Sequence, residues 1–329
     1  MNIQYVSVAN FIDIGTAKDV SEELQKIIDN NPNKTIFFPD GEYYISKPIL
    51  TPANPRTSVS LKLSNYAKII ANNDWNEGEP LIKLGGKDFA NDIRTCGSNY
   101  FLEGGILDGA GIANGVSIDS GRETVIRNVA IKHTEIGIHI KVGANGGSSD
   151  VDVTGVNIVG NRKENSIGVL IEGWDNTLTN MRIADVFKGV VIKSSGNMLR
   201  NIHPLYTLAL DLESYEKSCG FECHNNNNWF DYCYSDQFAC GFVLNDLVVL
   251  NNCFCWWYSP KSVCHIGIKT ERFDAMVMNF NIGFIGEETE NIVLKTDTHG
   301  KGVIQNLIVN DKKLLTDDGY KEYLNGVFI

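Results

Sequence analysis

No stretch of this chain is apolar for long enough to make a transmembrane helix, which needs about 20 such residues. Cations are in the minority: 29 Lys and Arg stand against 40 Asp and Glu, for a formal net charge of −11. Such a chain repels phosphates, so neither a nucleic acid nor an anionic membrane surface is an expected partner. The start, MNIQYVSVANFIDIG, lacks a basic segment followed by an apolar core, and no secretory signal is expected. There is no Cys-x-x-Cys pair, and the spacings Cys219–Cys223 and Cys253–Cys255 form no familiar zinc set. No metal and no cofactor are expected. Seven of the eight cysteines fall between Cys219 and Cys264, and reduced thiols packed as small apolar side chains are their expected state. Prolines number only 8, against 31 glycines. At 329 residues the chain is long for one ordinary core, but elongated all-β architectures reach this size.

The first fifty residues read as a cap. DVSEELQKIIDNN opens on Asp19 as N-cap with Glu22 three residues later, a capping-box arrangement, and Val20, Leu24, Ile27 and Ile28 recur at helical spacing. KTIFFPDGEYYISKPI then reads as strand, Pro-Asp-Gly turn and strand. From there on the chain is short strands between Gly, Asn and Asp turns.

Those strands repeat. VIRNVAI, DVTGVNI, TLTNMRI, MLRNIHP, NWFDYCY, VLNNCFC, MVMNFNI and VIQNLIV align on one turn column: Asn128, Gly155, Asn180, Asn201, Asp231, Asn252, Asn279 and Asn306. Its steps are 27, 25, 21, 30, 21, 27 and 27 residues. A second strand lies in each period, as GIHIK, GVLIE, GVVIK, GFECH, GFVLN, HIGIK and NIVLK. One turn residue and one further strand per period is a solenoid signature. The steps vary too much for leucine-rich or helical repeats, whereas a β-solenoid sheds extra residues as loops. Asn suits the column because it tolerates tight turns and its amide can bond along a ladder.

This column, with FLEGGILDGAG before it, resembles the right-handed parallel β-helix of the pectin-lyase-like superfamily. The N-terminal segment resembles the cap of its polygalacturonase-like and phage tailspike-like members. The resemblance implies an all-β fold, with a cap at 1–50, the solenoid at 51–310 and a tail or cap at 311–329. By the same resemblance a homotrimer is expected, and the apolar run LYTLAL adds a hint of it. Synthesis in the cytoplasm is expected, with retention there and release on a virion both open.

The polygalacturonase signature of Asn-Thr-Asp, Asp-Asp, Gly-His-Gly and Arg-Ile-Lys on successive coils is not matched. Asp317-Asp318 lies in the tail, and no Gly-His-Gly occurs. The calcium-dependent pectate lyase pattern wants clustered carboxylates and an arginine base, and only Arg182 and Arg200 stand near. Inulin fructotransferases share the fold, with acidic residues at subunit boundaries, but no motif here is specific to them.

GFECHNNNNWFDYCYSDQF, residues 220–238, concentrates the candidate chemistry. Asp231 is the one carboxylate in the column, where a turn role is favoured over catalysis, and Cys223 takes an inward core position. In the second strand, positions two and four point outward. The outward pairs are His139/Lys141, Leu170/Glu172, Val191/Lys193, Glu222/His224, Val243/Asn245, Gly267/Lys269 and Val293/Lys295. This parity makes Glu222 exposed, beside Lys193 and His224, with Glu172 one further coil away. Acid, base and cation on one sheet suit glycan cleavage, and a solvated face of mixed charge is the plain alternative. The long excursion HPLYTLALDLESYEKSC carries Asp211 and Glu213. Trp256, Trp257 and Tyr258 stack on sugar rings if exposed and are packing if buried. Asp236 falls in a turn equivalent to that of Asp185, two coils apart.

The function expected is cleavage of a poly- or oligosaccharide by an acid/base pair centred on Glu222. Its partner comes from Asp211, Glu213, Glu172 or Asp236, and Lys193 and His224 bind or tune. Hydrolase-like or fructotransferase-like chemistry is preferred, with a lyase second. The alternative is a non-catalytic, tailspike-type glycan-binding attachment protein.

Overall fold

A computed structural model describes residues 5–88, 100–142, 148–258, 263–284, 291–310, 320–324 and 327–328. Most of the tail, with Asp317-Asp318, lies outside the described residues, as do residues 259–261 of CWWYSPK. The fold is an all-β right-handed parallel β-helix with a minor N-terminal helix. The chain divides into two compact units, Met1–Asn161 with Glu172–Thr177, and Arg162–Ile171 with Leu178–Ile329.

In the first unit the helix Ser21–Asp29 buries Leu24, Ile27 and Ile28, the helical positions expected. Its start differs in detail from the capping box. Val20 is the N-cap, and Asp19 instead accepts from Ser21 N (2.9 Å) and Ser46 Oγ (2.5 Å), tying the helix to the strand Gly41–Ile45. Glu22 pairs with Lys47 at the surface. The expected strands are Thr35–Phe38 and Gly41–Ile45. From them parallel pairing runs coil by coil, through Ser60–Leu63, Phe101–Glu103, Val125–Arg127 and Asp152–Thr154 on one line of strands.

The second unit has the same plan. One sheet stacks Ile167–Ile171, Lys188–Ile192, Cys219–Cys223, Cys240–Leu244, His265–Arg272 and Asn291–Thr298, all parallel. The first four of these strands carry a glycine at their second residue, Gly168, Gly189, Gly220 and Gly241, held for space. A Cβ on Gly220 would lie 2.1 Å from Ser235 Oγ and 2.9 Å from the Gly241 carbonyl; one on Gly189 would lie 2.3 Å from the Gly220 carbonyl. Between the walls sits an aromatic core. Phe221 stacks on Phe242 at 4.8 Å, and Phe230 and Phe280 meet Phe242 edge-on at 6.0 and 5.8 Å. Cys219, Cys223, Cys233, Cys240, Cys253 and Cys255 are buried free thiols, the packing role expected.

The turn column is real, with one correction. Left-handed backbone occurs at Asn180, Asn201, Asn252, Asn279 and Asn306, but in the 220–238 coil it falls on Tyr232 (φ 56°), not on Asp231. Asp231 is the last strand residue before it, paired with Arg200 and Asn251. Its carboxylate still terminates the amide ladder. Asn306 donates to Asn279 (2.9 Å), Asn279 to Asn252 (3.1 Å) and Asn252 to Asp231 (3.3 Å). Asn201 separately donates to Asn180 (2.8 Å).

A non-glycine aromatic in the left-handed region is strained by about 1 kcal/mol. Replacing Tyr232 by Asn is therefore expected to stabilise the fold by about 1 kcal/mol. A urea midpoint that moves down rather than up would show that Tyr232 contributes more by packing than it costs by strain.

Candidate functional site

The sheet carrying Glu222 is less open than strand parity suggests. Leu170 and Val191, on the same outward row, are 6 % and 4 % exposed, and the Glu222 side chain is 13 % exposed. Glu222 is pinned on both oxygens. Lys188 Nζ lies 2.5 Å from Oε2, and His224 Nε2 lies 2.6 Å from Oε1. Asn245 Nδ2 meets His224 Nδ1 at 3.2 Å, which leaves Nε2 to donate to Glu222. Burial pushes the Glu222 carboxyl up, but the bonds from Lys188 and His224 outweigh it and hold the pKa below the ordinary value. This is a carboxylate kept ionised.

Its cation is Lys188, which sequence reasoning passed over. Lys193 is exposed one residue beyond Ile192, the partner of Cys223. Glu172 belongs to the first unit and pairs with His139 there (2.9 Å). The outward row also shifts by two residues at its end: Val243 pairs with Lys269 and Lys269 with Lys295, while Gly267 carries no outward side chain and Val293 is buried.

The excursion after Leu205 folds onto its own unit. Tyr206 and Leu208 are buried, so LYTLAL leaves little apolar surface. Tyr206 meets Phe238 and Tyr215 edge-on, and the Tyr215 hydroxyl donates to the Gln237 carbonyl (2.9 Å). Asp211 is spent as the N-cap of the short helix Leu212–Tyr215, accepting from Ser214 N at 2.8 Å; that backbone bond lowers its pKa. Glu213 is exposed and pairs with Lys217. Trp257 is core: it is 1 % exposed and its Nε1 donates to the Phe238 carbonyl (2.6 Å).

His265, also in this packing, is fully buried against Tyr215 and Trp257. Burial depresses its pKa from 6.5 to about 4. The neutral ring is the native form, so its stabilisation is complete above the unfolded pKa and is lost as pH falls from about 6.5 to about 4. The loss amounts to about 3 kcal/mol. Urea midpoints across that range are expected to fall for the natural chain and to flatten in His265→Gln; equal slopes would refute the assignment.

A different outward face assembles the remaining candidates. Here the left-handed column sets the parity. Residues two places past it form one outward row, Tyr234, Phe254, Asn281 and Ile308, paired in that order. Residues four places past it form a second, Leu205, Asp236, Trp256 and Gly283. His203 joins the first row by stacking on Tyr234 (4.1 Å, 16° between planes).

Asp236 is the carboxylate of this face. It is 7 % exposed, its Oδ2 lies 3.3 Å from His203 Nε2, and its Oδ1 has no hydrogen-bond partner. Burial, then the charge of Asp236 and hydrogen bonding to it, push the Tyr234 hydroxyl well above its ordinary pKa. Trp256 stacks on Phe254 (5.6 Å, 19°) and lies over Gly283, where a Cβ would come within 1.8 Å of the ring. Tyr258 is 53 % exposed. Asp236 is not the counterpart of Asp185: left-handed backbone falls on Asp185 and on Gln237, and Asp236 precedes it. Asp185 is occupied by Arg162 (2.8 Å) and Thr207. Beside the Asp236 face an open groove of about 450 Å³ runs past Tyr232, Tyr234 and Phe254.

Sequence reasoning missed His203, Tyr234 and Phe254. The available signal was the alternation two and four places past the turn column, unread at His203 and Phe254 and inverted at Tyr234 by the misplaced Asp231.

No protein-family model matches the chain, and no curated protein sequence matches it at a significant level. Solved structures do. An endo-xylogalacturonan hydrolase from Aspergillus tubingensis is 12 % identical, with a TM-score of 0.65, over 93 % of this chain and 93 % of its own. A tailspike protein of E. coli bacteriophage HK620, in complex with a pentasaccharide, is 13 % identical, with a TM-score of 0.67, over 93 % of this chain and 63 % of its own. The ORF18 protein of Geobacillus virus E2 is 13 % identical, with a TM-score of 0.57, over 94 % of this chain and 58 % of its own. The chain thus spans about six tenths of the two viral proteins. At such identities the likeness establishes the fold.

Proposed function

We propose that this chain is a carbohydrate-active enzyme that cleaves an oligo- or polysaccharide lying over His203, Tyr234, Asp236 and Trp256. The observation that carries this reading is Asp236: a buried carboxylate with one oxygen unpartnered, beside a tryptophan, on a face with an aromatic row. Stacked rings offer apolar platforms to the C–H faces of sugars. Asp236 passes a proton to the glycosidic oxygen as its bond to the anomeric carbon breaks, and water supplies the hydroxyl and returns a proton to the site. His203 holds the other carboxylate oxygen.

Hydrolysis or transfer fits better than elimination. Abstraction next to a uronate carboxylate calls for a cation, and among the described residues neither outward row of this face carries a Lys or Arg. The ionised Glu222 on the neighbouring sheet is the second catalytic candidate. The likeness to a glycan hydrolase and to a saccharide-bound tailspike supports the sugar but not the residues.

A glycan-binding attachment role is the other reading. It is favoured by the absence, among the described residues of this face, of a second carboxylate to complete a hydrolytic pair. Homotrimer assembly stays part of the proposal. The row Met198, Trp229, Val249 and Met276 offers apolar surface for it, with Met198, Trp229 and Met276 at 41, 44 and 43 % exposure.

The test is a glycan panel read by reducing ends, by ultraviolet absorbance of unsaturated products and by product mass. New reducing ends or transferred products are expected. Unsaturated products would replace hydrolysis with elimination, and binding without any product would leave the attachment role.

A further inference from the structure

We infer that the glycan taken by this face is uncharged: an oligosaccharide of neutral sugars, not a polyuronate. The inference rests on the carbohydrate reading above and names the substrate class for it.

The groove of about 450 Å³ is lined by Tyr232, Tyr234, Phe254, Asn279, Asn281 and Ile308, with Asn252 and two cysteine positions completing its wall. None of these carries a charge at neutral pH; the Tyr234 hydroxyl is pushed further from ionisation by its surroundings. At its borders Arg200 is already taken by Asp231, 3.4 Å away, and Asp236 beside His203 offers no cation. The net charge of −11 would further repel a polyanion.

What the groove does present is apolar area and amides. Tyr232 is 66 % exposed and Ile308 44 % exposed, at opposite ends. Three pairing steps separate the coil of Tyr234 from that of Ile308. At about 4.8 Å per step that is about 14 Å, long enough for several sugar rings in a row. Asn252 and Asn279 are held in the ladder by their amides, whereas no hydrogen bond among the described residues uses the Asn281 amide. It is placed to meet a sugar hydroxyl. Binding by stacking and neutral hydrogen bonds, with no counter-ion release, is insensitive to salt.

The experiment is a glycan array probed with the labelled full chain. Neutral hexose, deoxyhexose and N-acetylhexosamine oligosaccharides are set against hexuronate and sialylated ones. Hits are then titrated by affinity electrophoresis at low and high salt, with Phe254→Ala alongside. Binding is expected on neutral glycans only, unchanged by salt, and weakened about tenfold in Phe254→Ala, whose ring forms the middle of the groove. Preferential, salt-sensitive binding of hexuronates would overturn the neutral class and leave the carbohydrate reading standing. Neutral binding untouched by Phe254→Ala would move the sugar off this groove and overturn the inference. Silence across the whole array would overturn both.

Discussion

Replacing Asp236 by Asn is expected, on the proposed mechanism, to lower glycan turnover by about 10² to 10⁴, the range for loss of a proton-transferring group. Stability is expected to change little. Oδ1 has no hydrogen-bond partner in the natural chain, so the isosteric amide breaks no bond there. At Oδ2 the carboxamide keeps an oxygen for His203, 3.3 Å away. The loss thus appears in turnover and not in the melting temperature. Glu222→Gln gives the opposite pattern. It leaves the half-buried Lys188 ammonium without its carboxylate, a loss of about 1–3 kcal/mol. Activity is then retained apart from that destabilisation. An inactive but stable Glu222→Gln beside an active Asp236→Asn would transfer catalysis to the Lys188–Glu222–His224 sheet.

The largest expected effect on stability comes from the interior of the second unit. Phe242 is fully buried. It stacks flat on Phe221 and meets Phe230 and Phe280 edge-on, so three aromatic partners lose a contact at once if it is cut back. Stacked coils cannot close the gap, because the glycines at Gly220 and Gly241 already bring backbone against the facing wall. Phe242→Ala is expected to cost about 3–5 kcal/mol, the transfer and cavity cost of a fully buried aromatic. Chemical denaturation measures it, as a fall in midpoint at constant slope. A loss under about 1 kcal/mol would mean that the coils relax around the hole.

How legible was this in the residues alone? The asparagine column revealed the fold because a left-handed turn restricts residue choice in every coil, and repetition makes the restriction visible. The glycine opening five of the seven second-strand segments was visible too, though its cause, such as the approach of Gly220 to Ser235, is a packing fact. The site was hidden by one residue. Side chains alternate with a period of two, so a slip of one exchanges inside for outside. Placing Asp231 in the column turned Tyr234 inward and left Asp236 as a turn residue, whereas the left-handed residue is Tyr232 and both lie on the outward rows. Tyrosine is an unlikely occupant of that backbone, and no propensity argument selects it. Lys188 was unreadable for a different reason: it opens a strand, outside the alternating positions, and reaches Glu222 through the length of its side chain. Burial of Trp257, next to a half-buried Trp256, follows from strand alternation once the register is right.

The most direct test of the proposed site is a crystal structure of the Asp236→Asn variant soaked with whichever glycan the panel identifies. Sugar rings are expected over Trp256 and Tyr234, with a glycosidic oxygen within hydrogen-bond reach of residue 236. Rings lying instead on the sheet of Lys188, Glu222 and His224 would contradict it.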